Sequence, residues 1–306
     1  MTPAFHKTRL APTPSGYLHL GNFVSFLITV SLARKHRAKI VLRIDDLDRQ
    51  RTRNEYLQDI FDTLDFLEIP YDEGPRSVSD LKNQYSQRCR MPYYQALLED
   101  LANADQLFAC DCSRKKIQKN HPKGWYNGHC LHRNLSLTGA DRAWRLKTRP
   151  DIVYPLIDYP GVRRNCQIPD AMAYFVVRKK DRDPAYQLAS LVDDRLFGID
   201  LIVRGEDLWD SSCAQLYLSS LLPDQPLAGA TFFHHPLLKE GNQKLSKSEG
   251  ALAIRTMRQR GMKKTELYRL AAKHTGVARP VQSLEEFVPA YLDLLEPLSP
   301  THQNPE

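Results

Sequence analysis

The sequence predicts an α/β fold with a parallel sheet, and three observations predict it. Strand-length apolar runs alternate with helix-period segments from residue 7 to residue 67. The alternation breaks between roughly 75 and 180, where Cys, Pro, Lys and Arg accumulate. It resumes from about 186 to 235, so the middle stretch reads as an insertion between two halves of one sheet.

The elements follow in order. Residues 7–11 read as a first strand, and 20–36 as a buried helix whose apolar run extends from Phe23 to Ala33. Lys39 to Ile44 is a strand ending in acidic residues. Asn54 is placed to cap a helix carrying Leu57, Ile60, Phe61, Leu64 and Leu67 on one face. Beyond the insertion come a helix around 186–195, a strand Ile199–Val203, a helix around 209–221 and the segment Thr231–His235. After residue 250 the pattern leaves a short helical tail. Leu267, Leu270, Ala271 and His274 share a face, Gly276 ends that helix, and Ser283 with Glu286 suggests a capping box for a last one. Pro300 to Glu306 reads as disordered. The domain division expected is therefore 1–75 with 180–250, an insertion over 76–179, and a tail over 251–306.

The chain is 42% hydrophobic and 26% charged, an ordinary soluble composition, and its net charge of +7 favours a polyanionic partner. No apolar run reaches membrane length and no signal-peptide core is present, so a cytoplasmic protein without a membrane partner is expected.

Two segments carry phosphate chemistry. The first, Pro12-Thr13-Pro14-Ser15-Gly16-Tyr17-Leu18-His19-Leu20-Gly21-Asn22, precedes the buried helix. A helix N-terminus offers N–H groups and a positive dipole end to phosphate, Gly21 allows close backbone approach, and His19 can donate a hydrogen bond. The second, Lys244-Leu245-Ser246-Lys247-Ser248, supplies two ammonium groups on a polar loop, suited to charge developing on a pyrophosphate leaving group. Each alone is also compatible with a plain turn or a solvated loop; the ordered pair is the informative feature.

This pair resembles the HIGH and KMSKS signatures of class I aminoacyl-tRNA synthetases. The flanks Arg9-Leu10-Ala11-Pro12-Thr13-Pro14-Ser15-Gly16, Leu42-Arg43-Ile44-Asp45-Asp46-Leu47-Asp48, Ala185 to Asp194 and Val203-Arg204-Gly205-Glu206-Asp207 resemble the glutamyl-tRNA synthetase branch. The similarity runs from about residue 7 to about residue 250. It implies a class I synthetase-type, Rossmann-like sheet, with ATP, Mg²⁺ and glutamate as partners. The short tail leaves no room for an anticodon-binding domain. The chain is thus similar to the truncated glutamyl-queuosine tRNA(Asp) synthetase branch, which places glutamate on queuosine in the anticodon loop of tRNA(Asp). Ordinary charging of tRNA(Glu), or a catalytically idle RNA-binding module, are the alternatives.

The resemblance implies site residues by position. His19, Gly21, Asn22, Lys244 and Lys247 would stabilise the reacting phosphates, with Asn22 standing where the signature has its second His. Leu237 and Leu238 would lie along adenine. Arg9, Leu10, Ala11, Pro12 and Thr13 would line the glutamate site with Tyr186, and Arg204 would read the side-chain carboxylate. Asp45 stands where the branch usually has Glu and would meet the ammonium from one methylene farther back. A monomer is expected.

The insertion adds Cys110, Cys112 and Cys130, three thiols that suit tetrahedral zinc. By chemistry the fourth ligand is open between Tyr126 and a nearby His (His121, His129 or His132); the resemblance implies Tyr126 and one structural Zn²⁺. Cys89, Cys166 and Cys213 read as isolated packed residues. Lys115, Lys116, Lys119 and Lys123, with Arg163, Arg164 and the basic run 178–182, make either a solvated face or a surface for an RNA stem-loop such as that of tRNA(Asp).

Overall fold

The computed structural model describes residues 5–240, 243–244 and 253–296. The chain divides into two compact units, one of Phe5–Lys82 with the chain from Leu237 onward, the other containing Asn83–Pro236. They are called here the outer and middle units.

The outer unit begins with a βαβ element: β1 (Lys7–Leu10), α1 (Leu20–His36) and β2 (Lys39–Leu42). β1 and β2 pair in parallel, from Lys7↔Lys39 to Leu10↔Leu42. Their apolar residues are buried, as expected of a sheet covered by helices. Helix α1 is free of Pro and of interior Gly beyond its first turn, and ends where Arg37 turns left-handed (φ 55°) and returns its N–H to Ala33 and Arg34. Arg34, Lys35 and His36 in its last turn oppose the negative end of the helix dipole.

Next come α2 (Asn54–Leu67) and the short α3 (Val78–Asp80). The five apolar residues expected on the face of α2 are buried. Its cap differs from expectation. Arg53 occupies the N-cap without a side-chain cap bond, and Asn54 is the first helical residue. The Asn54 Oδ1 accepts instead from the Lys82 ammonium at 2.8 Å, a charge-assisted bond that competes with the neutral cap.

The middle unit contains α4 (Met91–Asn103), β3 (Leu107–Cys110), α5 (Arg114–Asn120), β4 (Ala143–Leu146), β5 (Val153–Asp158), β6 (Val162–Gln167), β7 (Val176–Arg178), α6 (Tyr186–Phe197), β8 (Leu201–Gly205), α7 (Trp209–Ser220) and β9 (Thr231–His235). Strands β3, β4 and β7 form an antiparallel sheet. β8 and β9 are parallel, β5 adds in parallel to β9, and β6 closes a hairpin on β5. Helices α6 and α7 pack against each other.

A buried charge ties α4 to α6. Asp193 accepts from the Arg90 guanidinium at 2.7 and 3.0 Å, from Gln87 at 2.9 Å and from the Tyr94 hydroxyl. Such a pair tolerates burial because every lone pair is occupied. The structure also joins Cys166 and Cys213 in a disulfide, with Cα atoms 5.7 Å apart. The reading of these two as isolated is corrected: 47 residues separate them, and only the folding of β6 against α7 brings them together.

The chain returns to the outer unit with the two-residue strands β10 (Lys239–Glu240) and β11 (Gln243–Lys244), then α8 (Ile254–Gln259), α9 (Lys264–Thr275) and α10 (Leu284–Leu295). The tail covers α1. Tyr268 packs edge-on against Phe23 at 5.1 Å, its hydroxyl donates to the Leu67 carbonyl at 2.7 Å, and Arg34 forks onto Glu285 with two bonds of 2.8 Å. The buried face of α9 is Leu267, Tyr268, Ala271 and Ala272, rotated from the expected one because the Tyr268 ring fills the space against α1. Gly276 caps it in the left-handed region (φ 80°), and the Ser283 hydroxyl accepts from the Glu286 N–H; the Glu286 carboxylate accepts from the Gln282 N–H rather than that of Ser283, so only half of the suggested capping box forms. Among the described residues no helix is long and apolar enough to cross a membrane.

Candidate functional site

In the outer unit, His19 is the N-cap of α1. Its Nδ1 accepts from the Gly21 N–H at 3.1 Å, and the Asn22 Oδ1 accepts from the His19 N–H at 3.0 Å. A neutral imidazole that accepts at Nδ1 carries its proton on Nε2, so the ring is a donor through that edge. The first-turn amide expected to face phosphate is therefore engaged by His19, and the imidazole relays its polarity outward. A Cβ on residue 21 would stand 3.0 Å from the His19 ring, so any larger residue there would press the ring a few tenths of an ångström out of place.

The segment carrying His19 is held on both sides. The Leu18 N–H donates to the buried Asp59 carboxylate of α2 at 3.1 Å, and the Leu18 carbonyl accepts from the Ile254 N–H at 2.8 Å. Ala253 bridges His19, and Arg255 donates to the Tyr17 hydroxyl at 2.9 Å. The start of α8, seven residues past Lys247, is thus anchored on the first signature segment. Lys247 itself, like Leu245, Ser246, Ser248 and the terminal stretch from 297, lies outside the described residues; of Lys244 only the backbone, in β11, is described.

The loop after β1 and the chain after β2 run side by side. The Arg43 N–H donates to Leu10 O at 2.8 Å and the Asp45 N–H to Pro12 O at 3.0 Å. This brings Leu10, Ala11 and Pro12 alongside Asp45. Arg9 is 5% exposed, so a guanidinium is buried at this strand end. Asp45 does not stand alone: Arg43 forks onto its carboxylate at 2.8 and 3.1 Å, and both side chains are largely buried. The role of Arg43 was not foreseen, although the charged pair two residues apart at a strand end was its signal. Leu238 contributes a methyl group near Gly21.

In the middle unit, Arg204 is the penultimate residue of β8 and is 4% exposed. Its Nη1 donates to the Gln215 Oε1 at 3.0 Å and the Ser212 hydroxyl at 3.3 Å, both from α7. Gln215 donates on to Gln187, which donates to Ser211 at 3.0 Å, so the network reaches the first turn of α6, where Tyr186 stands 44% exposed. Ser212 also bonds His234 Nε2 at 2.8 Å. In register, His234 faces Arg204 across β8 and β9. Burial first, then the charges of Arg204 and Arg164, hold the His234 imidazole down at about 4, so it is neutral near pH 7. Gln187, Ser212, Gln215 and His234 escaped the sequence reading because uncharged polar residues in helices and strands carry no periodic signal.

A second constellation lies at the end of β3. The sulfurs of Cys110, Cys112 and Cys130 lie within 4.8 Å of one another, with Cys112 and Cys130 3.6 Å apart. A tetrahedral zinc with bonds of about 2.3 Å places its sulfurs about 3.8 Å apart. Tyr126 is buried in the same cluster, and its hydroxyl accepts from the Cys130 N–H at 2.8 Å. His121, His129 and His132 do not join the group among the described residues. The donor set, three sulfurs with a phenol oxygen beside them, fits zinc. Burial and the neighbouring thiols push Cys112 up to about 12 and raise Tyr126, the penalty a bound cation would relieve. Burial also raises Cys130, but hydrogen bonds from Tyr126 and Arg133 outweigh it and leave this thiol lowered. Arg133 bridges Cys130 and Asp111, holding the Asp111 carboxyl at about 2, and Arg145 stacks 3.7 Å above the Tyr126 ring.

The basic residues divide. Lys115, Lys116 and Lys119 are exposed on α5, and Lys123 lies 4.4 Å over Trp125. The run 178–182 is engaged internally: Arg178 stacks on Trp144, Lys179 pairs with Asp181, and Lys180 donates to the Asp111 carbonyl.

Comparison with known proteins agrees with this geometry. Residues 6–288 match the family described as tRNA synthetases class I (E and Q), catalytic domain. The chain is 34% identical over 300 residues to the glutamyl-Q tRNA(Asp) synthetase of Nitratidesulfovibrio vulgaris, covering 92% of this chain and 88% of that protein. It is 29% identical to glutamate–tRNA ligase 2 of Syntrophus aciditrophicus over 93% of this chain, but spans only 61% of that relative's length. The crystal structure of glutamate-tRNA synthetase from Elizabethkingia anophelis shares the fold, with a TM-score of 0.74 at 22% identity over 93% of this chain and 65% of that one. The chain therefore belongs to the class I tRNA synthetases (E and Q) through their catalytic domain, a family of ATP-dependent ligases.

Proposed function

We propose that this protein activates glutamate with ATP and transfers the glutamyl group to queuosine in the anticodon loop of tRNA(Asp), in the cytoplasm and as a monomer. The observation that carries the activation half is Arg204, a buried guanidinium fixed by Gln215 and Ser212 at the C-terminal end of a parallel strand, where α/β sheets bind ligands. A fixed fork matches a carboxylate bidentately, which selects glutamate by its side chain. Arg9 and the loop Leu10–Thr13 receive the other carboxylate, Tyr186 contributes to substrate binding, and Asp45 accepts from the ammonium. Because Arg43 balances its charge, Asp45 acts as an oriented acceptor rather than an isolated anion.

In the reaction, a glutamate α-carboxylate oxygen attacks the α-phosphorus of ATP. The new C–O–P linkage forms as the bond to the β-phosphate breaks, and pyrophosphate leaves. His19 donates through Nε2 to the phosphates, Gly21 and Asn22 shape the entry to α1, Leu237 and Leu238 lie along adenine, and Lys244 with Lys247 meets the charge on pyrophosphate. Mg²⁺ accompanies the ATP phosphates. Zinc at Cys110, Cys112, Tyr126 and Cys130 is structural, with all four positions taken by protein. The relatives named glutamyl-Q tRNA(Asp) synthetase and the Cys-x-Cys…Tyr-x-x-x-Cys cluster support the queuosine half of the reading. The exposed lysines of α5 provide a phosphate-tracking face. Charging of tRNA(Glu) is the second reading, favoured by the ligase relative.

ATP–pyrophosphate exchange tests the activation step. Exchange should depend on glutamate and proceed without tRNA. Lys247→Ala should slow it roughly a hundredfold, the usual effect of removing one charge-stabilising contact. Glutamate-dependent exchange at a normal rate in a folded Lys247→Ala protein would remove the second signature from the mechanism.

A further inference from the structure

We propose that Arg145 is a positioning residue of the zinc site, holding the Tyr126 ring and balancing the negative charge that its oxygen carries as a ligand. This inference rests on the zinc reading of Cys110, Cys112, Tyr126 and Cys130 given above. It starts from a charge where an apolar residue is expected. Arg145 of β4 stands opposite Phe108 of β3, so the two side chains share a face of the antiparallel sheet, and both are buried. Such a position is ordinarily apolar. Here a guanidinium lies 3.7 Å from the centre of the Tyr126 ring, and Phe108 stacks on that ring at 6.3 Å. Arg145 Nη1 donates to the Tyr174 carbonyl at 2.8 Å, whereas its Nε is buried with no hydrogen-bond partner.

Buried cations are ordinarily paired, yet among the described residues no carboxylate bonds to Arg145. The acid at the cluster is already taken. Asp111 accepts from Arg133 at 2.8 Å, and Lys180 donates to the Asp111 carbonyl at 2.9 Å. Coordination supplies the missing partner. Zinc takes such donors deprotonated, so three thiolates and a phenolate outnumber the two positive charges of the ion and leave the loaded cluster anionic. A phenolate shares its charge with its ring, and a guanidinium over the face of that ring meets it by both electrostatics and stacking. A His ligand would enter neutral and leave Arg145 over an uninvolved phenol. The placement of Arg145 therefore also favours Tyr126 over His121, His129 and His132 as the fourth donor.

Zinc affinity is measured by chelator competition on the full chain, beside thermal melts of zinc-loaded and chelator-stripped samples kept reduced. Two variants separate charge from shape. Arg145→Gln keeps an N–H for the Tyr174 carbonyl and loses the charge; Arg145→Lys keeps the charge and loses the plane. The zinc Kd should rise roughly 30-fold in Arg145→Gln, the usual scale for a residue that orients a metal ligand, and stay within about fivefold in Arg145→Lys. Stripped Arg145→Gln should melt no more than about 2 °C below stripped wild type, because a buried cation without an anion costs stability until the metal is bound. In a Tyr126→Phe background, Arg145→Gln should weaken zinc by about threefold or less, since the charge it meets is gone. An unchanged Kd in Arg145→Gln, or an equal loss in Arg145→Lys, overturns the proposal. So does a stripped Arg145→Gln protein that melts far lower or fails to fold, which would make Arg145 a packing residue, and so does an undiminished loss in the Tyr126→Phe background. Wild-type protein that binds no zinc, or Tyr126→Phe that binds it at full affinity, defeats the underlying zinc reading; normal wild-type binding, an impaired Tyr126→Phe and an indifferent Arg145→Gln defeat this inference alone.

Discussion

Arg204→Ala is expected to lower kcat/KM for glutamate roughly a thousandfold while leaving the KM for ATP within about twofold, as loss of a buried charge-assisted pair predicts. The guanidinium is 4% exposed and does not swing freely: Gln215 and Ser212 fix one nitrogen. Binding energy from a fixed fork is not spent on ordering the side chain. Truncation to Ala removes the charge and leaves Gln215 and Ser212 to reorganise. Arg204→Lys retains the charge but loses the planar fork, so an intermediate loss is expected. Steady-state exchange at varied glutamate, glutamine and aspartate checks both. Wild-type discrimination against glutamine should collapse in Arg204→Ala, since the guanidinium distinguishes carboxylate from amide. An unchanged glutamate KM in a folded Arg204→Ala protein would move the carboxylate site elsewhere.

The second large effect concerns the Cys cluster. Purified protein should hold about one zinc per chain, and Cys110→Ser with Cys112→Ser should abolish it, because structural sites depend on the full ligand set. The middle unit should lose stability with the metal. Cys110 ends β3, whereas Tyr126 and Cys130 lie in the irregular chain between α5 and β4, where little regular structure holds the backbone. Tyr126→Phe should weaken zinc roughly tenfold or more, whereas His129→Ala should not, since His129 is exposed and outside the cluster. Elemental analysis of freshly reduced protein, followed by chelator competition, reads these outcomes. Protein free of metal as prepared, or full zinc in the double variant, would contradict the assignment.

Much of this architecture was legible in the sequence. The βαβ start, the buried α1 and the resumed β8–α7–β9 alternation all follow from apolar periodicity, because one-sided burial imposes a period on the chain. The first signature segment was legible in the sequence because His19, Gly21 and Asn22 sit together at a helix start, which the structure confirms as the N-terminus of α1; their part in phosphate chemistry is a proposal. The caps were less so. Asn54 has the right chemistry for an N-cap, but a lysine 28 residues away competes for it. The network around Arg204 was not legible at all: Ser212, Gln215 and His234 acquire meaning only when α7 lies on the face of β8 and β9. The same holds for Cys166 and Cys213, whose proximity depends on long-range packing. Arg43 shows a third case, in which a residue inside a quoted motif turns out to hold its neighbour Asp45.

The most direct measurement of the central claim is transfer of labelled glutamate to purified tRNA(Asp) with and without queuosine, beside tRNA(Glu). The account predicts labelling of queuosine-containing tRNA(Asp) alone, dependent on ATP. Labelling of tRNA(Glu) at its 3′ end, or of tRNA(Asp) regardless of queuosine, would contradict it.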